Sequence, residues 1–111
     1  MKKIVFTVFA SLALSACAPM VEKNQIPHLW SGEKTFDMPP AACADRAFNL
    51  VTKLGLSDIV RKNDFVYANQ DLNRLAIKCV PAANGSLVYF AVAGENMAAV
   101  EKLRNTISAK L

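Results

Sequence analysis

Histidine, tryptophan and closely spaced cysteines are nearly missing from this chain. Its 111 residues include one histidine, His28, and one tryptophan, Trp30, and the three cysteines, Cys17, Cys43 and Cys79, form no Cys-x-x-Cys pair. A lone histidine removes most routes to a Ser-His-Asp or Cys-His nucleophile and leaves zinc without its usual ligands. Wide cysteine spacing argues against dithiol redox chemistry. No glycine-rich loop joins a strand to a helix: Gly94-Glu95-Asn96 has one glycine and no lysine at the offset that cradles phosphate. Asp45, Asp58, Asp64 and Asp71 fall at caps and turns, where hydrogen bonding to nearby backbone N–H groups explains them. Internal repeats and low-complexity tracts are absent too. The reading is of a non-enzyme with no cofactor and no metal centre.

A long apolar span is also missing. The run from Ile4 to Ala16 is about 13 residues, short of the roughly 20 that cross a bilayer as a helix. Lys2 and Lys3 precede it and small residues close it, the pattern of a secretory signal over residues 1–16. Of the formal net charge of +4, those two lysines carry half, so the mature chain is left at about +2 and its basicity says little about nucleic acid. Leu14-Ser15-Ala16-Cys17 resembles the lipobox of bacterial lipoproteins. The resemblance implies that Cys17 becomes an acylated N-terminus, and Ala18 in place of Asp implies the outer-membrane class. Two or more acyl chains anchor stably where one binds only marginally, so the domain needs no membrane-binding face of its own.

Residues 17–38 read as a tether, interrupted by Pro19, Pro27 and Gly32. Ile26, Leu29, Trp30 and Phe36 are too many apolar residues for a solvated linker, so its later part is expected to lie on the domain. Residues 39–111 form the globular part. Pro39-Pro40 opens a helix that Gly55 closes, with Cys43, Ala47, Leu50, Val51 and Leu54 on one face and Arg46, Asn49 and Lys53 toward solvent. Asp58 to Lys62, the turn Asn63-Asp64 and Phe65 to Asn69 predict a hairpin. Arg74 to Val80 alternates, putting Leu75, Ile77 and Cys79 on one side, and Pro81 is expected to stop it. The turn Asn84-Gly85 leads to Leu87–Ala93, the most central strand. Met97, Val100, Leu103, Ile107 and Leu111 make the stripe of a closing helix. The expected fold is α+β: a small antiparallel sheet of three to four strands with an N-terminal and a C-terminal helix packed on one face. The order is similar to that of small envelope domains of no characterised family.

With Cys17 lipidated, the remaining pair suits a disulfide in an oxidising compartment. Cys43 and Cys79 both point inward from their elements, and closing a loop of roughly 37 residues stabilises by about 3 to 4 kcal/mol in the chain-entropy model.

The same alternation turns Arg74, Lys78 and Tyr89 to the opposite face, joined by Phe65 and Tyr67 if Val66 and Ala68 face the core. Aromatics beside cations on an open sheet suit base stacking, but the secretion signal and near-neutral mature charge exclude nucleic acid. A protein, a glycan or a second copy fits the same face. Two readings stand side by side: the face binds a partner, or Leu29, Trp30 and Phe36 fold back and cover it. The functional expectation is a lipid-anchored, non-catalytic accessory module of the bacterial outer membrane with an envelope protein as partner. An immunity or inhibitor lipoprotein is the alternative, and a small envelope enzyme is unfavoured.

Overall fold

The computed structural model describes residues 26–111. Among the described residues seven elements follow one another: β1 (His28–Phe36), α1 (Pro40–Lys53), β2 (Ser57–Lys62), β3 (Phe65–Gln70), β4 (Asn73–Ala82), β5 (Gly85–Gly94) and α2 (Met97–Lys110). The class is α+β. The strands form a single antiparallel sheet in the order β1-β5-β4-β3-β2. It has five strands, not the expected three to four. The additional one, β1, lies in the segment read as a tether and pairs with β5 from His28↔Gly94 to Phe36↔Ser86. Its polar Ser31, Glu33, Lys34 and Thr35 blur the alternation, and its partner is distant in sequence. No local turn announces the pairing.

Helix α1 starts on prolines as expected, with Pro39 as N-cap and Pro40 in the first turn. It ends in a Schellman motif: Gly55, at φ 74°, donates to Thr52 O, and Leu56 donates to Val51 O at 3.1 Å. The left-handed φ favours glycine there, and the motif's apolar contact falls on buried Val51 and Leu56. Asn96 caps α2, its side chain accepting from Ala99 N–H at 2.9 Å. Val100, Leu103, Ile107 and Leu111 are buried as the stripe requires, but Met97 is 51% exposed because it sits in the first turn, ahead of the packed length.

One hydrophobic core joins both helices to the sheet: Cys43, Ala47 and Val51 of α1, Leu103 and Ile107 of α2, and the alternate strand residues Val66, Leu75, Ile77, Cys79, Val88, Phe90 and Val92. The Cys43–Cys79 disulfide ties α1 to β4, with 6.1 Å between the Cα atoms. Close to Cys43, in the N-terminal half of α1, Arg61 of β2 pairs with Asp45 and donates to Ala41 O. Pro81 does not stop β4, which continues to Ala82 with Pro81 opposite Ser86. β3 begins only at Phe65, opposite Lys78, so no strand lies on that flank of Pro81 to want its missing N–H. The turn is Ala83-Asn84, one residue earlier than expected, and Gly85 opens β5. Gly85 has φ 146°, and a Cβ there would collide with the backbone of Phe36 and Asp37, which the chain brings across the hairpin.

Candidate functional site: the outward side of the sheet

Cross-strand partners share a face, so the registers sort every strand residue to the core side or the outward side. Lys62, Phe65, Lys78, Tyr89 and Glu33 form one outward row across all five strands. Next to it run Val60, Tyr67, Ala76, Ala91 and Ser31, and then Asn69, Arg74, Ala93 and Leu29. All five residues proposed from sequence, Phe65, Tyr67, Arg74, Lys78 and Tyr89, therefore stand on one side. The condition set for Phe65 and Tyr67 is met, because Val66 and Ala68 are buried.

The shape of this surface follows from side-chain size. Ser31, Ala76 and Ala91 are small and leave a floor, while Phe65, Lys78 and Tyr89 rise beside it, enclosing a depression of about 420 Å³. Phe65 and Tyr67 stack with ring centroids 5.3 Å apart and planes 7° from parallel. Lys78 Nζ lies 4.5 Å from the Phe65 centroid, a cation over a π face. Arg74 is held differently: its Nε donates to Asn69 Oδ1 at 2.6 Å, and Asn69 Nδ2 donates to Asp58 Oδ2 at 3.0 Å. Asp58, Val60, Lys62, Tyr67, Asn69 and Arg74 line a second hollow of about 390 Å³ beside the first. Stacked rings and a fixed guanidinium supply apolar area and hydrogen-bond donors with side-chain freedom already reduced, the make-up of a binding surface.

Among the described residues, Trp30 and Phe36 do not cover this side. Trp30 pairs with Val92 and Phe36 with Ser86, which puts both on the core side. Two cations lie over the Phe36 ring there, Lys34 at 5.7 Å and Arg46 at 5.2 Å from its centroid. Leu29 faces outward, at the margin of the sheet, and is 68% exposed. Trp30 therefore cannot shield Tyr89, itself 47% exposed. Ser31 and Glu33 are hidden from the sequence because residues 17–38 have the composition of a tether, and Asn69 because its bond to Arg74 needs the β3-β4 register. The alternation of β1 was the one available signal: Trp30, Gly32, Lys34 and Phe36 share a parity.

The signal-like residues 1–16 and the lipobox-like Leu14-Ser15-Ala16-Cys17 lie outside the described residues. Among the described residues no helix is long and apolar enough to cross a membrane, and no three His, Cys, Asp or Glu side chains converge as a metal site would need. No family model, curated protein or solved structure matches the chain.

Proposed function

We propose that this protein is a lipid-anchored, non-catalytic binding module of the bacterial outer membrane, presenting the outward side of its sheet to an envelope protein. Both helices share the core side, so the outward side is left to face a partner. The observation that carries the reading is the gathering of Phe65, Lys78 and Tyr89 around one shallow floor of small residues, with Tyr67 and Arg74 lining the hollow beside it. The signal-type N-terminus and the lipobox-like Leu14-Ser15-Ala16-Cys17 supply the anchor and the compartment, and the Cys43–Cys79 bridge suits an oxidising one.

The test is a photo-crosslinking residue placed in the full-length chain in living cells, at Leu87 on the outward side and, as control, at Asn105 on the exposed part of α2. Position 87 is expected to capture a membrane-fraction protein other than this chain, and position 105 is not. Equal capture from both positions, or none from either, contradicts the reading.

A further inference from the structure

The two margins of the sheet are unlike. β2 has six residues and is irregular between Ser57 and Val60, where Asp58 takes φ 52°. A bulge of this kind twists a margin away from strand addition. β1 has nine residues in unbroken register with β5. Among the described residues the longer and more regular margin is therefore β1.

Which backbone groups β1 offers follows from the β4-β5 hairpin. Its two-residue turn, Ala83-Asn84, closes on Ala82↔Gly85, a hydrogen-bonded pair in such hairpins, and bonding alternates from there. Gly85, Leu87, Tyr89, Ala91 and Ala93 then bond toward β4, leaving Ser86, Val88, Phe90, Val92 and Gly94 for β1. Their partners on β1 are the even-numbered residues His28 to Phe36, so Leu29, Ser31, Glu33 and Thr35 turn N–H and C=O away from the sheet. An independent contact agrees: Arg104 Nε of α2 donates to Ser31 O at 2.9 Å, which puts that carbonyl on the free side. Among the described residues no other side-chain hydrogen bond reaches the backbone of β1.

We propose that β1 pairs antiparallel with β1 of a second copy of this chain, about a two-fold axis at Gly32, doubling the sheet. Strand addition of this kind takes its affinity from main-chain bonds and its register from side chains. Centring on Gly32 pairs all nine residues and forms up to about eight hydrogen bonds through the outward groups. It sets Ser31 opposite Glu33 of the second copy and Trp30 opposite the second copy's Lys34, a cation beside an indole. No like charges stand directly opposite one another, and the two Glu33 carboxylates are diagonal neighbours. Centring on Glu33 opposes two carboxylates, which is destabilising, and centring on Ser31 leaves Thr35 and Phe36 beyond the shared length. The match of Lys34 with Trp30 is self-complementary, and it names a second copy as the occupant.

The pairing does not depend on what the outward side binds, yet it alters that site. The floor of the depression ends at Ser31, at the margin of β1. In the dimer Glu33 of the second copy stands at that open end, and the two depressions become one groove across the axis.

Two full-length chains with different tags, one carrying Leu29→Cys and the other Thr35→Cys, test the register when produced together in the same cells. The proposal predicts a mixed disulfide between them and none between two Leu29→Cys chains, whose substituted positions lie about 20 Å apart in this register. Sedimentation of the full-length chain in density-matched detergent should give a dimer. Ser31→Pro should turn it into a folded monomer, since the lost N–H points outward and the β5 ladder keeps its bonds. Arg104→Ala, which frees the Ser31 carbonyl, should raise the dimer fraction at a given concentration. A monomer at all concentrations, a Leu29→Cys chain that links to itself as well as to Thr35→Cys, or a dimer untouched by Ser31→Pro overturns the proposal.

Discussion

The two sides of this sheet are built from the same strands, residue by residue in alternation, and they are put to opposite uses. On the core side Leu75, Ile77, Val88, Phe90 and Val92 are almost wholly buried. On the outward side Arg74, Lys78 and Tyr89 stay exposed between them, and the residues that fall in the middle are small. One parity holds the fold and the other shapes a surface. The difference teaches that side chains on the outward side can be changed without touching the core, which makes binding and stability separable by experiment.

The comparison breaks most visibly on the core side. Phe90→Ala should destabilise the domain by about 3 to 5 kcal/mol, because it empties a large, fully buried site; thermal or urea unfolding followed by circular dichroism measures it. Replacing Cys43 and Cys79 together by alanine should cost about 2 to 5 kcal/mol under oxidising conditions, from the loss of the covalent tie between α1 and β4. An unchanged melting temperature in that variant would mean the bridge contributes nothing. Asp45→Asn removes a pair with Arg61 whose carboxylate partner is largely exposed, so its effect should stay below about 1 kcal/mol and shrink further in high salt. Tyr89→Ala, on the outward side, should move stability by no more than about 0.5 kcal/mol.

Much of this division is legible in the sequence, and what is not has a physical reason. Leu75, Ile77 and Cys79 alternate with Arg74, Ala76 and Lys78 so cleanly that the side of each residue in β4 follows from the period alone. The helices are as clear, since α1 has prolines at its start, an apolar stripe and Gly55 at its end. The Cys43–Cys79 bridge follows from the two inward faces. β1 is harder. Gly32 stands at a core-side position opposite Phe90, and a Cβ there would meet the Phe90 ring and the Arg104 guanidinium. A glycine that makes room for a neighbour looks, in sequence, like a glycine in a linker. Lys34, also of core-side parity, reaches out to donate to Ser108 O at 3.1 Å, so its charge hides the pattern. Trp30 and Phe36 were expected either to leave the outward side open or to cover it, and only the pairing with β5 decides the matter. The Arg74–Asn69–Asp58 chain was out of reach of the sequence for the same reason: its members come together through strand register and not through spacing.

The claim that the outward side binds a partner is tested most directly by one variant with two readouts. Tyr67→Ala, Lys78→Ala and Tyr89→Ala are introduced together into the full-length chain, and its melting temperature and its recovery of partner from solubilised membranes are measured side by side. The account predicts a domain that melts close to the parent and recovers no partner. A domain that melts close to the parent and recovers the partner in full would contradict it.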